Sequence, residues 1–289
     1  MTLITGMLTS SGVVLAADSA GSVGALARLP VEKIGRLVED DPSAWCAGSG
    51  PATRIQDLRL YFRQYVTQFG QAQPPRSLSQ LNDLEVRAGL RQAALQVMGD
   101  IQQAWQRQPP GAAMMNPQGE NTSMLLTVCG PQGHRLYSVD MANAAVNQAT
   151  PDSPFMAIGS GAVPAMPFYS FLRRTVYPRN ELQENENALL AVCWIQYQVI
   201  STTPGGVAEP IHILCLSRDG QADVLTEDQI NELKSRISSI EEALQQQALY
   251  PVAPRAPAGA PIPAPASEPA SAATAPETLP PAQCGMGPG

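Results

Sequence analysis

Threonine stands at position 2, directly after the initiator methionine. So small a side chain permits removal of Met1, which leaves a free α-amine close to the threonine hydroxyl. An unperturbed α-amine has a pKa of about 7.7–8.0, so near neutral pH a good fraction is uncharged and can take the hydroxyl proton, directly or through a water. Thr2 is therefore a candidate self-activated nucleophile for acyl transfer. Two charged residues bear on that chemistry. Asp18 closes an apolar run 16 residues later, and Lys33 opens the run Lys33-Ile34-Gly35-Arg36-Leu37. An ammonium beside the Thr2 oxygen favours the alkoxide, and a carboxylate can hold that ammonium in place. Acyl transfer also needs a donor aimed at the developing oxyanion, and a glycine lets a backbone N–H come close. Gly48-Ser49-Gly50 is a candidate for it. Each residue also has a plainer reading. Thr2 is an ordinary second residue, Asp18 and Lys33 are charges at strand ends, and the glycines form a strand-to-helix turn.

The elements that must position these groups follow from pattern. Leu3 to Leu8 and Val13 to Ala17 are apolar runs joined by Thr9-Ser10-Ser11-Gly12, which reads as a β-hairpin. Such a hairpin returns Asp18 to the start of the first strand, beside Thr2. The second run does not alternate, so both of its faces should be covered. Lys33 reaches the threonine oxygen if its run pairs beside the hairpin. Helical periodicity follows over Thr53 to Phe69 and over Leu78 to Trp105, then a loop over residues 107–121. Strands are expected at Met124 to Cys129, Arg135 to Val139 and Phe155 to Ile158, the last running into Gly159-Ser160-Gly161. A helix spans about 164–174, with Pro164 and Pro167 tolerable only in its first turn, and Ser160 is a candidate cap for it. Glu181 to Ile200 is a further helix. Ile211 to Leu216 and Ala222 to Leu225 form a strand pair, and a last helix begins near Thr226. Strand pairs between separated batches of helices suggest two packed sheets covered by helices on both outer faces.

Composition narrows the function classes. The 289 residues are 44% hydrophobic and 15% charged, with a formal net charge of -7 and no basic block, so nucleic acid is an unsuitable partner. No apolar run is long enough to cross a bilayer and the first residues lack a signal-peptide pattern, so a cytoplasmic protein with no membrane partner is the expectation. The five cysteines are widely spaced and the histidines number two, which argues against a disulfide framework or a zinc site. Cys129, Cys193 and Cys215 lie in apolar runs and read as small buried hydrophobes. From Pro251 onward 11 of 39 residues are Pro and 11 are Ala, a composition that cannot repay the entropy of ordering. The expected division is a folded domain over 1–249 and a disordered Pro/Ala-rich tail over 250–289.

The opening segment, Thr2 through Gly12-Val13-Val14-Leu15-Ala16-Ala17-Asp18-Ser19, resembles that of the proteasome β-subunit family. The likeness continues at Gly24, Lys33-Ile34, Ala47-Gly48 and Ala157-Ile158-Gly159-Ser160-Gly161. It implies an α+β fold, the four-layer αββα sandwich of N-terminal-nucleophile hydrolases, assembly into rings, and threonine-type cleavage of peptides or unfolded proteins. By that resemblance Thr2 is the nucleophile and its amine the base. Asp18 and Lys33 support it, Ser160 holds the amine, and the Gly48 N–H forms the oxyanion hole. Cys46 and Gly50 line a pocket for the substrate residue before the scissile bond. No cofactor or metal is implied, and a regulatory or unfoldase partner is compatible with it. The sequence departs from the family pattern at Ser201-Thr202-Thr203-Pro204-Gly205-Gly206, where Ser201 replaces an aspartate and Pro204 a serine. Those departures keep two alternatives open: a catalytically silent ring subunit, and an amidase of the same superfamily acting on a small amide.

Overall fold

The structure is a computed structural model that describes residues 2–23, 27–39, 41–72, 74–107, 121–176, 182–203 and 207–249. The tail expected over 250–289 and Pro204 lie outside the described residues. Backbone contacts divide the chain into Met1–Ala243 and Leu244–Gly289, and the second unit is described only as far as Leu249. In chain order the elements are β1 (Ile4–Leu8), β2 (Gly12–Asp18), β3 (Ala20–Val23), β4 (Ala27–Pro30), β5 (Ile34–Val38), β6 (Asp41–Ser49), α1 (Ala52–Gly70), a 3-10 turn (Leu78–Gln80), α2 (Asp83–Gln106), β7 (Ser123–Gly130), β8 (Gly133–Asp140), β9 (Ala145–Gln148), β10 (Phe155–Ile158), α3 (Ala162–Thr175), α4 (Asn185–Thr202), β11 (Ile211–Ser217), β12 (Ala222–Val224) and α5 (Glu227–Leu249).

Two five-stranded antiparallel sheets form the centre, in the orders β10-β1-β2-β11-β12 and β5-β6-β7-β8-β9. The pleat of β2 explains its unbroken apolar run. Val13, Leu15 and Ala17 face the other sheet, where they meet Ile34, Ala47, Leu125 and Leu136. Val14 and Ala16 face outward onto α3, α4 and α5, whose Tyr169, Ile195 and Leu233 share that cluster. On the second sheet Met124, Leu126 and Val128 of β7 face α1 and α2 through Leu58, Phe62 and Leu90. Three apolar layers between four structural ones give an αββα sandwich, as the strand and helix batches suggested. No helix among the described residues is long and apolar enough to cross a membrane.

A buried polar group anchors α4 to the sheet. Gln196 of α4 is fully buried and its Nε2 donates to Thr5 Oγ1 at 3.1 Å and to the Ala16 carbonyl at 3.3 Å. The hairpin turn is tight, with Thr9 N donating to Gly12 O at 3.0 Å. Gly12 is required by proximity: a Cβ there would stand 2.0 Å from the Leu216 carbonyl oxygen of β11.

Several elements differ from expectation. The Lys33–Leu37 run does not pair beside the hairpin; β5 is the edge of the second sheet and pairs β6. Strands β3, β4, β6 and β9 have no clear signature, because β6 starts at Asp41-Pro42 and ends in small residues, and β9 is a short edge. The stretch from Leu78 is two elements, since Asn82 and Glu85 form a reciprocal capping box that starts α2 afresh. Pro167 lies past the first turn of α3, on its exposed side, where losing an N–H donor leaves a carbonyl that can turn to water.

Candidate active site

Hairpin register sets the first contact. Ile4 lies opposite Ala17, so the next pair outward is Leu3 and Asp18, and Asp18 N donates to Leu3 O at 3.1 Å. The Asp18 carboxylate has no solvent exposure. Its Oδ1 accepts from Leu3 N at 2.8 Å and from Lys33 Nζ at 2.6 Å, and its Oδ2 accepts from Ala20 N at 3.2 Å. The β3–β4 ribbon explains how Lys33 gets there. It pairs Ala20 with Pro30, and Val31 N donates to Ser19 O at 2.9 Å, which returns the chain to Asp18 two residues before Lys33.

Lys33 Nζ also donates toward Thr2 Oγ1 at 3.4 Å, longer than an ordinary N–H···O bond. The lysine side chain is 7% exposed, and burial holds its ammonium below the usual lysine value of 10.5 even though Asp18 pulls the other way. An ammonium that holds its proton less firmly is also a better donor to a developing alkoxide.

Thr2 is fixed at both ends by the Gly159-Ser160-Gly161 turn. Its carbonyl accepts from Gly161 N at 3.0 Å, and its nitrogen donates to Ser160 Oγ at 3.2 Å. That nitrogen is an amide in the full chain and becomes the α-amine once Met1 is gone. Gly159 has φ +87°, and a Cβ there would meet the Thr2 carbonyl oxygen at 2.3 Å. Ser160 is not the cap of α3: that position belongs to Gly161, and no side chain caps the helix.

Gly48 is brought to the same place. Ile34, the residue after Lys33, pairs with Ala47, the residue before Gly48. The absent Cβ of Gly48 lets Ile55 of α1 close down, since a Cβ would come within 2.5 Å of Ile55 Cγ2. Of the two residues expected to line a substrate pocket, Cys46 sits differently. Cys46 has no exposed surface, packs with Leu37, Leu58 and Phe62, and has its Sγ 3.7 Å from Gly35 O. Burial pushes its thiol up. As placed, it is a core residue with no face for a substrate. Gly50 occupies a turn with φ +122° against Asn121 and Thr122, immediately ahead of α1. Ser201 and Thr202 end α4 and both hydroxyls donate back to Gln198 O, at 3.0 and 2.6 Å. Neither hydroxyl replaces the family carboxylate at Thr2 here.

Sequence reasoning did not find the backbone partners of Thr2 and Asp18, at Gly161, Leu3 and Ala20. It also gave no role to Arg59 of α1, whose Nη2 donates to the Cys46 carbonyl at 3.3 Å. An arginine on a helix is mostly exposed, and only the packing of α1 on β5 and β6 turns this one inward.

No family profile and no curated protein matches the chain. Solved structures do. Anbu (ancestral beta-subunit) from Yersinia bercovieri superposes with a TM-score of 0.61 at 15% identity, covering 87% of this chain and 99% of that one. An Anbu (Gly-1) mutant from Hyphomicrobium sp. strain MC1 gives 0.61 at 16% identity, covering 86% and 96%. The structure titled as the helical assembly of the Anbu complex from Pseudomonas aeruginosa gives 0.61 at 18% identity, covering 86% and 98%. The fold is that of the proteasome-like N-terminal-nucleophile hydrolases.

Removing the cation leaves Asp18 buried beside an apolar partner. Lys33→Met should cost about 3–5 kcal/mol, measured by urea unfolding, whereas the pair Asp18→Asn with Lys33→Met should recover much of the loss. Equal losses in the single and double variants would show that the ion pair does not organise this region.

Proposed function

We propose that the chain is a threonine-type peptide hydrolase that acts after loss of Met1 and works within a self-assembled particle. The observation that carries this reading is a single ammonium, Lys33 Nζ, held at 2.6 Å by buried Asp18 and lying 3.4 Å from Thr2 Oγ1. The Thr2 amine, steadied by Ser160, takes the hydroxyl proton while Oγ1 attacks the substrate carbonyl. Negative charge moves to the carbonyl oxygen, which the Gly48 N–H receives, and Lys33 stabilises the alkoxide as it forms. Collapse of the tetrahedral intermediate breaks the C–N bond, and the Thr2 ammonium returns its proton to the leaving amine. An ester on Thr2 remains. Water then attacks it with the same amine as base, the acid departs and Oγ1 regains its proton. Every step uses groups of the chain, substrate and water.

Assembly is supported by the Pseudomonas aeruginosa relative, whose structure is described as a helical assembly. Self-association would enclose the site and restrict it to peptides or unfolded protein, with an unfoldase as a natural feeding partner. A second reading, a silent structural subunit, is favoured by one observation: the Ser201 and Thr202 hydroxyls turn to Gln198 and leave the Thr2 nitrogen with the exposed Ser160 hydroxyl.

Intact mass after exposure to a threonine-reactive peptide electrophile separates the two. The hydrolase should lack Met1 and gain one adduct that Thr2→Ala abolishes; a trimmed chain that never gains mass is the silent subunit. Hydrolysis should also follow a bell-shaped pH profile. The rate rises as the Thr2 amine loses its proton, about pH 7.7–8.0 if unperturbed. It falls again as Lys33 deprotonates, on a limb below 10.5 because burial lowers that group. Lys33→Arg, which stays charged, should move the alkaline limb upward. An alkaline limb that stays in place would remove Lys33 from the mechanism.

A further inference from the structure

Successive residues of β6 point to opposite faces of its sheet. Ala47 packs between the two sheets, and the bare face of Gly48 turns to Ile55 of α1. Ser49 therefore turns back toward the first sheet, at the end where Thr2 stands. It arrives beside Gly159: the place a Gly159 Cβ would take lies 2.9 Å from Ser49 Oγ and 2.3 Å from the Thr2 carbonyl oxygen. Ser160, the next residue of that turn, accepts from the Thr2 nitrogen. Hydroxyls from the two sheets thus flank the Thr2 backbone, Ser160 at the nitrogen and Ser49 on the carbonyl side.

Only one of these hydroxyls is paired. Ser49 is 6% exposed, and its hydroxyl bonds to no described residue. Its oxygen is not among the unpaired polar atoms sealed from solvent, so water reaches it. A nearly buried hydroxyl without a partner costs free energy that an alanine would not. Hydrolysis of an ester on Thr2 needs a water at this end of the strand. That water must touch the Thr2 amine, which takes its proton, and must face a carbonyl whose oxygen lies at the N–H of Gly48, the residue before Ser49.

We propose that Ser49 is a positioning residue that holds the hydrolytic water of the second half-reaction. This rests on the hydrolase reading. One hydrogen of the water bonds to Ser49 Oγ and the other to the Thr2 amine, which leaves an oxygen lone pair for the ester carbon. As the new C–O bond forms, the amine takes its hydrogen as a proton. When the bond from carbon to Thr2 Oγ1 breaks, the ammonium gives that proton to Oγ1 and the acid leaves with the other hydrogen. Forming the ester uses no water and does not depend on Ser49.

A peptide 4-nitrophenyl ester separates the two halves on the full chain after Met1 removal. Nitrophenol release reports ester formation, and acid-quenched intact mass follows decay of the adduct, with Thr2→Ala as the blank. Ser49→Ala should form the adduct at the wild-type rate and lose it at least about tenfold more slowly. Hydroxylamine, which attacks the ester without a held water, should clear the adduct equally fast from both proteins. Decay rates of an adduct already formed do not depend on the folded fraction of a variant. Formation slowed as much as decay would make Ser49 a structural residue. An unchanged decay, or a slow decay that hydroxylamine does not rescue, would also overturn its role, and all three results leave the hydrolase standing. No Thr2 adduct on the unsubstituted chain overturns the hydrolase reading and this one with it.

Discussion

A carboxylate with no access to water dictates the geometry of this chain's amino end. Asp18 accepts from Leu3 N, Ala20 N and Lys33 Nζ, so one side chain ties the start of β1, the β3–β4 ribbon and the approach to β5. Isolated burial of such a charge costs several kcal/mol, and only good donors on every side offset it. That cost is what makes the arrangement specific. If Lys33 swings away, Asp18 loses its counter-ion; while it stays, its remaining reach is toward Thr2 Oγ1. The two sheets are joined at this point as well, because Asp18 belongs to one and Lys33 leads into the other.

Close backbone approaches complete the site. Gly159 lets the turn after β10 lie against the Thr2 carbonyl, Gly161 lets it lie against Leu3, and Gly48 lets α1 lie against β6. Thr2 is met at its carbonyl by Gly161 N, at its nitrogen by Ser160 Oγ and at its hydroxyl by Lys33 Nζ. The proposed hydrolysis requires preorganisation of that kind, with donors in place when charge develops.

How much of this the sequence disclosed depends on range. A hairpin whose turn at Ser10-Ser11 is visible in the residues brings Asp18 onto Leu3, next to Thr2, so their proximity was readable. Lys33 was readable as chemistry but not as architecture. Its run was expected beside the hairpin, and it lies across the sandwich, because which sheet a strand joins is decided by distant partners such as β6 and β7. Strand β6 was missed altogether: a proline near its start and Ala47-Gly48-Ser49 at its end hide it, and Gly48 is bare because Ile55 of α1 packs closely on it. Cys46 was expected at a pocket, yet the pleat of β6 carries its side chain into the core. Ser160 had two readings, and the structure distinguishes them by putting its hydroxyl on the Thr2 nitrogen. Arg59 carried no signal, since nothing in an amphipathic pattern marks which arginine of a helix faces the sheet.

The sequence contains two lysines, Lys33 and Lys234, so the side-chain nitrogens can be followed individually in a 15N-lysine-labelled chain, with Lys234→Arg making the assignment. A pH titration of the Lys33 Nζ signal tests the buried Asp18–Lys33 contact directly. Burial should make it lose its proton below 10.5, and Asp18→Asn, which removes the opposing pull, should lower it further. A Lys33 that titrates at 10.5 or above, with no response to Asp18→Asn, would mean that it stands in solvent away from both Asp18 and Thr2.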